Sequence, residues 1–179
     1  ISALRAARAA DGGAVVVLDA GDMWQGTLAS NLDEGASMIE AYNALGVAAA
    51  AIGNHEFDFG PVGGAAIPME PGHDPRGALK QRAREAQFPL LAANLIDVAT
   101  DQPVAWENVQ PSVMLDVDGI KVGVIGILTS NGLAQTIAAN TVGLRLAPLA
   151  ETITSEARSL REEGASLVFV IAHAGGACT

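Results

Sequence analysis

The chain has 179 residues, half of them apolar and 17% charged, with 20 Asp and Glu against 10 Lys and Arg for a net charge of −10. Such a composition excludes a disordered chain. Its negative balance disfavours nucleic-acid polymers and anionic lipid as partners unless bound metal ions supply positive charge locally. Aromatic residues make up only 4%, which points to a layered α/β packing of small and β-branched side chains. The single cysteine, Cys178, makes no internal disulfide, and the longest apolar runs fall well short of the ~18 residues of a membrane helix. The opening Ile1-Ser2-Ala3-Leu4-Arg5 carries neither an initiating Met nor a basic start followed by an apolar stretch, so no signal peptide is read there and a trimmed chain is expected.

In chain order, residues 2–10 read as a helix stopped at Asp11-Gly12-Gly13. Residues 14–20 form an unalternating apolar run, the pattern of a parallel strand buried on both faces. Residues 37–45 place Met38, Ile39, Tyr42 and Leu45 on one helical face before Gly46. A second buried strand follows at 47–52 and a glycine- and proline-dense loop at 60–75. A helix is predicted over 76–87, ended by Pro89, and a third buried strand over 90–95. A polar excursion spans 100–111, and the hairpin signal Asp118-Gly119 joins strands at 113–117 and 120–128. Residues 129–146 show no period that assigns them. A helix over 149–163 stops at Gly164, and a last buried strand, 167–172, runs into His173. The pattern is α/β with one antiparallel hairpin. A leading helix with no strand before it, and a final strand with no helix after it, predict further sheet elements beyond both ends.

Ligands of such sheets sit at the carboxyl ends of the strands, which singles out the loops after residues 20, 52, 95 and 172. Asp22, in Gly21-Asp22-Met23-Trp24-Gln25-Gly26-Thr27, is placed as a metal ligand or general base, or as a cap of the next turn. The second loop, Gly53-Asn54-His55-Glu56-Phe57-Asp58-Phe59-Gly60, gathers an amide, an imidazole and carboxylates. The spacing of His55 and Asp58 lets the carboxylate accept from the ring if the segment makes a helical turn, which fixes the tautomer and raises the ring's basicity. His173 ends the last strand, either as a third ligand or bonded to backbone. An oxygen and nitrogen donor set suits Mn, Fe, Zn or Co better than Mg alone. His73, in a loop, reads as solvated, and Asn94 as a turn residue. Neither a Gly-Xaa-Ser-Xaa-Gly nucleophile elbow nor a phosphate loop ending in Lys-Ser or Lys-Thr occurs.

Gly21-Asp22 with Gln25-Gly26-Thr27, the run from Gly53 to Gly60, Ala92-Ala93-Asn94-Leu95, Val122-Gly123-Val124-Ile125-Gly126 and Ile171-Ala172-His173 together resemble the calcineurin-like metallophosphoesterases. The fit is to their 5′-nucleotidase branch, which includes exported UDP-sugar hydrolases and 2′,3′-cyclic-nucleotide phosphodiesterases. The resemblance implies a layered αββα sheet sandwich, incomplete at both ends here. It implies two divalent metal ions, and hydrolysis of a phosphoric ester by in-line attack of metal-bound hydroxide. Asp22 would match the carboxylate bridging both metals, Asn54 and His173 ligands of the second, His55 the histidine acting at the phosphate, and Asp58 its orienting partner. The foremost expectation is a 5′-nucleotidase of nucleotide catabolism, periplasmic or extracellular, with the other two branch activities and a non-catalytic binding or structural domain as alternatives. Residues 1–179 would be a fragment of the N-terminal catalytic domain. The family's Asp-Xaa-His and Gly-His-Xaa-His motifs and its C-terminal nucleotide-binding domain lie outside the sequence, so partial metal occupancy and no appreciable turnover are expected of the fragment alone.

Overall fold

The computed structural model describes residues 1–175. In chain order its elements are α1 (Ser2–Ala10), β1 (Leu18–Asp19), α2 (Leu28–Asn31), α3 (Ala36–Leu45), β2 (Ala49–Ala51), a 3-10 turn (His55–Phe57), α4 (Gly77–Glu85), β3 (Leu90–Leu91) and β4 (Leu95–Asp97). There follow β5 (Gln102–Pro103), β6 (Val109–Gln110), β7 (Ser112–Val117), β8 (Ile120–Leu128), two more 3-10 turns (Gly132–Ala134 and Ala138–Asn140), β9 (Leu144–Leu146), α5 (Leu149–Glu162) and β10 (Leu167–His173).

Two sheets face each other. The first is all parallel, in the order β1-β2-β3-β6; the second runs β10-β8-β7, with β10 parallel and β7 antiparallel to β8. A small antiparallel sheet, β5-β4-β9, lies beside them. The side chains of β8 explain the layering through the two-residue period of a strand. Val122 and Val124 pack with Ala49 and Leu91 between the two main sheets, whereas Ile125 and Ile127 pack with Leu160 of α5 on the other side. On the far side of the first sheet, Ile39 of α3 and Leu79 and Ala83 of α4 pack over Ala50, Leu90 and Val109. The result is the predicted αββα layering.

The inter-sheet spacing is set where β8 crosses β3. A Cβ added at Gly126 would lie 2.5 Å from the carbonyl oxygen of Leu91 and 2.7 Å from its carbonyl carbon. Neither main-chain atom can rotate away. Gly126→Ala should therefore cost stability at the upper end of the about 1–3 kcal/mol typical of overpacking, measured by denaturant unfolding.

Several elements differ from the sequence reading. The run 14–20 forms only the two-residue β1, and Leu18 and Asp19 are half-buried rather than buried on both faces. Among the described residues β1 pairs with β2 alone, at an edge of the first sheet, and Val16 ahead of it is 36% exposed. The apolar run 90–95 splits between two sheets: β3 ends at Leu91 and β4 begins at Leu95. The buried side chain of Asn94 forces the break. It donates to Leu128 O (2.8 Å) and accepts from Leu128 N (3.0 Å), standing in for a peptide group at the end of β8. β10 is not buried either: it lies at an edge of the second sheet, and Leu167, Phe169 and Val170 are exposed. Leu45 likewise points outward from α3. The helices at 2–10 and 149–163 and the hairpin at Asp118-Gly119 match their predicted places. Residues 129–146, unassigned from sequence, hold two 3-10 turns and β9. Cys178 lies outside the described residues.

Candidate active site

The carboxyl ends of β1, β2 and β10 meet, and the loops that follow β1 and β2 are built around close contact. A Cβ at Gly53 would lie 2.7 Å from Asp22 N and 2.9 Å from Glu56 Oε2, so only glycine admits the neighbouring loop. Asp22 itself takes a left-handed backbone (φ 61°), a conformation that Asp tolerates and that is concentrated at functional sites. Just after it, Met23 and Trp24 are buried in the core and hold the loop down.

Glu56 joins the two loops. Its side chain is wholly buried and accepts from Asp22 N (2.8 Å), Met23 N (2.6 Å) and Gly53 N (2.6 Å). Burial pushes its carboxyl up to about 7, and the charge of Asp22 adds to this, while the three amide donors pull the other way. Glu56 lies within the Gly53–Gly60 motif, where its position in the sequence assigns it no role. A carboxylate directly before the apolar Phe57 is the available signal.

The structure brings all five sequence-selected residues together. Asp22 Oδ1 accepts from His55 N (3.0 Å), and Asp22 Oδ2 lies 3.1 Å from His173 Nε2. Asn54 donates through Nδ2 to Gln135 O (3.1 Å), which leaves its Oδ1 3.0 Å from the same His173 Nε2. His173 Nδ1 lies 3.0 Å from Ala20 O, which can only accept, so Nδ1 carries the proton and Nε2 presents a lone pair in the neutral ring. Three electron-donating atoms therefore converge, one from a carboxylate, one from an amide and one from an imidazole. That arrangement is unfavourable unless a cation, or a second proton on the ring, sits among them. The donor set fits a first-row divalent ion. The set owes its third member to an amide: among the described residues, no three His, Cys, Asp or Glu side chains cluster to hold a metal.

His55 occupies the opening 3-10 turn, and its Nδ1 is 2.5 Å from Asp58 Oδ2. Burial pulls the ring's pKa down, but the hydrogen bond and charge of Asp58, helped by Asp22 and Glu56, more than offset it, and the net direction is upward. Asp58 also accepts from Gln25 Nε2 on Oδ2 (3.1 Å) and from Thr136 Oγ1 on Oδ1 (2.8 Å). Thr136 carries no signal in the sequence: its segment has no period, and its contact with Asp58 is long-range. His73 stays apart, in the 60–75 loop beside Glu70, as a solvated histidine.

No family model matches the chain. It is 34% identical over 170 residues to protein 5NUC of Lutzomyia longipalpis, spanning 94% of this chain and 26% of that one. It is 30% identical over 161 residues to a 5′-nucleotidase of Diplobatis ommata, spanning 90% and 25%. The chain thus covers about a quarter of the length of these curated relatives. Its fold matches the calcineurin-like phosphoesterase YfkN of Bacillus subtilis with a TM-score of 0.71 at 20% identity, over 99% of this chain and 55% of that one. Sequence and fold agree, and the chain belongs to the 5′-nucleotidase branch of the calcineurin-like metallophosphoesterases.

Proposed function

We propose that this chain is the N-terminal catalytic part of a longer, metal-dependent phosphoric-ester hydrolase, and that its foremost substrates are nucleoside 5′-monophosphates. The observation that carries the reading is the convergence of Asp22 Oδ2, Asn54 Oδ1 and His173 Nε2, with the histidine tautomer fixed by Ala20 O. Those three side chains would hold a divalent ion of the Mn, Fe, Zn or Co type, and Asp22 would be shared with a second. Bound there, such ions offset phosphate charge and polarise its oxygens. That explains how a chain of net charge −10 accepts an anionic substrate. His55, its Nδ1 engaged by Asp58, directs Nε2 outward to hold or deliver a proton at the leaving oxygen. Asp58 sets the ring's orientation and keeps it basic. Kinship with the 5′-nucleotidase of Diplobatis ommata supports nucleotides as the substrate class, and the family resemblance supports a periplasmic or extracellular location. No helix among the described residues is long and apolar enough to cross a membrane.

The test is phosphate release by the full-length protein from AMP, a 2′,3′-cyclic nucleotide and a UDP-sugar, each with Mn, Zn and Co and each after chelation. AMP hydrolysis that requires added metal is the expected result. Preference for one of the other esters would move the substrate within the family. Failure on all three with every metal would overturn the hydrolase reading in favour of a binding domain. Export is checked separately by fractionating the native host.

A further inference from the structure

The connection from β8 to β9 touches the candidate site at four points. Thr129 N donates to the carbonyl of His173 (2.8 Å), where β8 and β10 end together. The chain then crosses to the 54–58 turn. Gln135 O receives the amide of Asn54 (3.1 Å), Thr136 Oγ1 donates to Asp58 Oδ1 (2.8 Å), and the fully buried Asn140 donates to Phe57 O (2.8 Å) and Ala66 O (2.8 Å). One aperiodic segment thus holds three residues of a single turn.

The consequence is sharpest at Asp58. His55 Nδ1 and Gln25 Nε2 both engage Oδ2. On that oxygen alone the carboxylate could swing about its terminal torsion, which has a broad energy profile, and carry the ring with it. Among the described residues, Thr136 is the side chain that engages Oδ1. An ionised carboxylate only accepts, so the hydroxyl must donate, and the pair of contacts on opposite oxygens fixes the carboxylate plane. The imidazole bonded to that plane is fixed in turn.

We propose that Thr136 is a positioning residue for phosphoester hydrolysis: it acts through Asp58 to hold the His55 ring in the orientation that presents Nε2 to the reacting phosphate. This rests on the hydrolase reading above. In the same segment, the Gln135 carbonyl turns the Asn54 amide so that its oxygen, not its nitrogen, faces Asp22 and His173.

Two variants of the full-length protein separate positioning from packing. Thr136→Val keeps the shape and removes the hydroxyl, and Thr136→Ser keeps the hydroxyl and removes a methyl. With AMP and Mn, Thr136→Val should lower kcat by roughly 10–100-fold, the usual effect of losing a hydrogen bond that orients a site residue from behind. KM should stay within about twofold and metal content should be unchanged. Thr136→Ser should recover most of the rate, returning to within about threefold of wild type. Nuclear magnetic resonance of ¹⁵N-histidine-labelled protein, without substrate, should show the His55 Nδ1 proton signal displaced in the valine variant and restored in the serine variant. Unchanged kcat in Thr136→Val, equal losses in both variants, or an unmoved His55 signal would each overturn the assignment. If the wild type hydrolyses no ester, the hydrolase reading fails on that result alone. The resonance measurement then still decides whether Thr136 sets the ring.

Discussion

Replacing His55 with alanine should cut turnover of the full-length enzyme by roughly 10²–10⁴-fold, the usual contribution of a placed proton donor or acceptor, while leaving metal content nearly intact. The expectation follows from where the ring is held. Its backbone N–H, which the substitution keeps, is what supports Asp22; its side chain bonds to Asp58 and is absent from the donor set around His173 Nε2. Metal analysis beside the rate measurement distinguishes the roles, and loss of bound metal in the alanine variant would make His55 a ligand instead. The pH profile gives a second check. Burial lowers the ring's pKa, Asp58 raises it by hydrogen bond and charge, and the net direction is upward. A ring that must carry a proton stays competent to higher pH than an isolated histidine, and the rate falls once pH passes the raised value. Asp58→Asn removes the main raising influence, so its alkaline limb should lie at lower pH, with a smaller loss of turnover than His55→Ala.

Glu56→Leu should be the most damaging single change to stability near the site. Asp22 N, Met23 N and Gly53 N would all lose their acceptor in a dry environment. Each orphaned buried donor costs about 1–3 kcal/mol, so a loss on the order of 3–5 kcal/mol is expected, read as a fall in the denaturant midpoint. Glu56→Gln should cost less, because its carbonyl oxygen still accepts while its amide faces donors. The pH dependence of the wild type is informative as well. With its carboxyl raised to about 7 from the ordinary 4.5, the folded chain binds a proton across that interval that the unfolded chain has released. Stability should therefore decline as pH rises from about 4.5 to 7 and level off above, and that slope should vanish in Glu56→Gln.

What the sequence made legible, and what it did not, divides along the range of the interactions involved. Helix α1 has its stop written in adjacent glycines, the β7–β8 hairpin has its turn in Asp118-Gly119, and Asp22, Asn54, His55, Asp58 and His173 announce themselves as polar groups at the ends of apolar strands. The break inside residues 90–95 was invisible, because a continuous apolar run does not reveal where the backbone changes sheets. Asn94 causes that change through a partner 34 positions away. Glu56 looked like one more polar turn residue because its acceptor duty belongs to amides on the other loop. Thr136 lies 78 positions from Asp58, in a segment ordered by the site it touches and not by any period of its own. Strands β1 and β10, each at an edge of its own sheet, read as buried because hydrophobicity reports an affinity for cover without saying whether a neighbour is at hand.

The amide of Asn94 also bears on how the molecule breathes. Its side chain pairs with both main-chain groups of Leu128, its own carbonyl receives Ala147 N (2.8 Å) just past β9, and Ala93 N beside it donates to Gly126 O (2.8 Å). The second and third sheets are therefore tied together at Asn94, and its partner Leu128 is one step along the chain from Thr129, which binds the carbonyl of His173. Opening the second sheet at that corner disturbs the third and the histidine together. Slow fluctuations of the site should accordingly be concerted, with the Leu128 amide protected from solvent exchange until the whole corner opens.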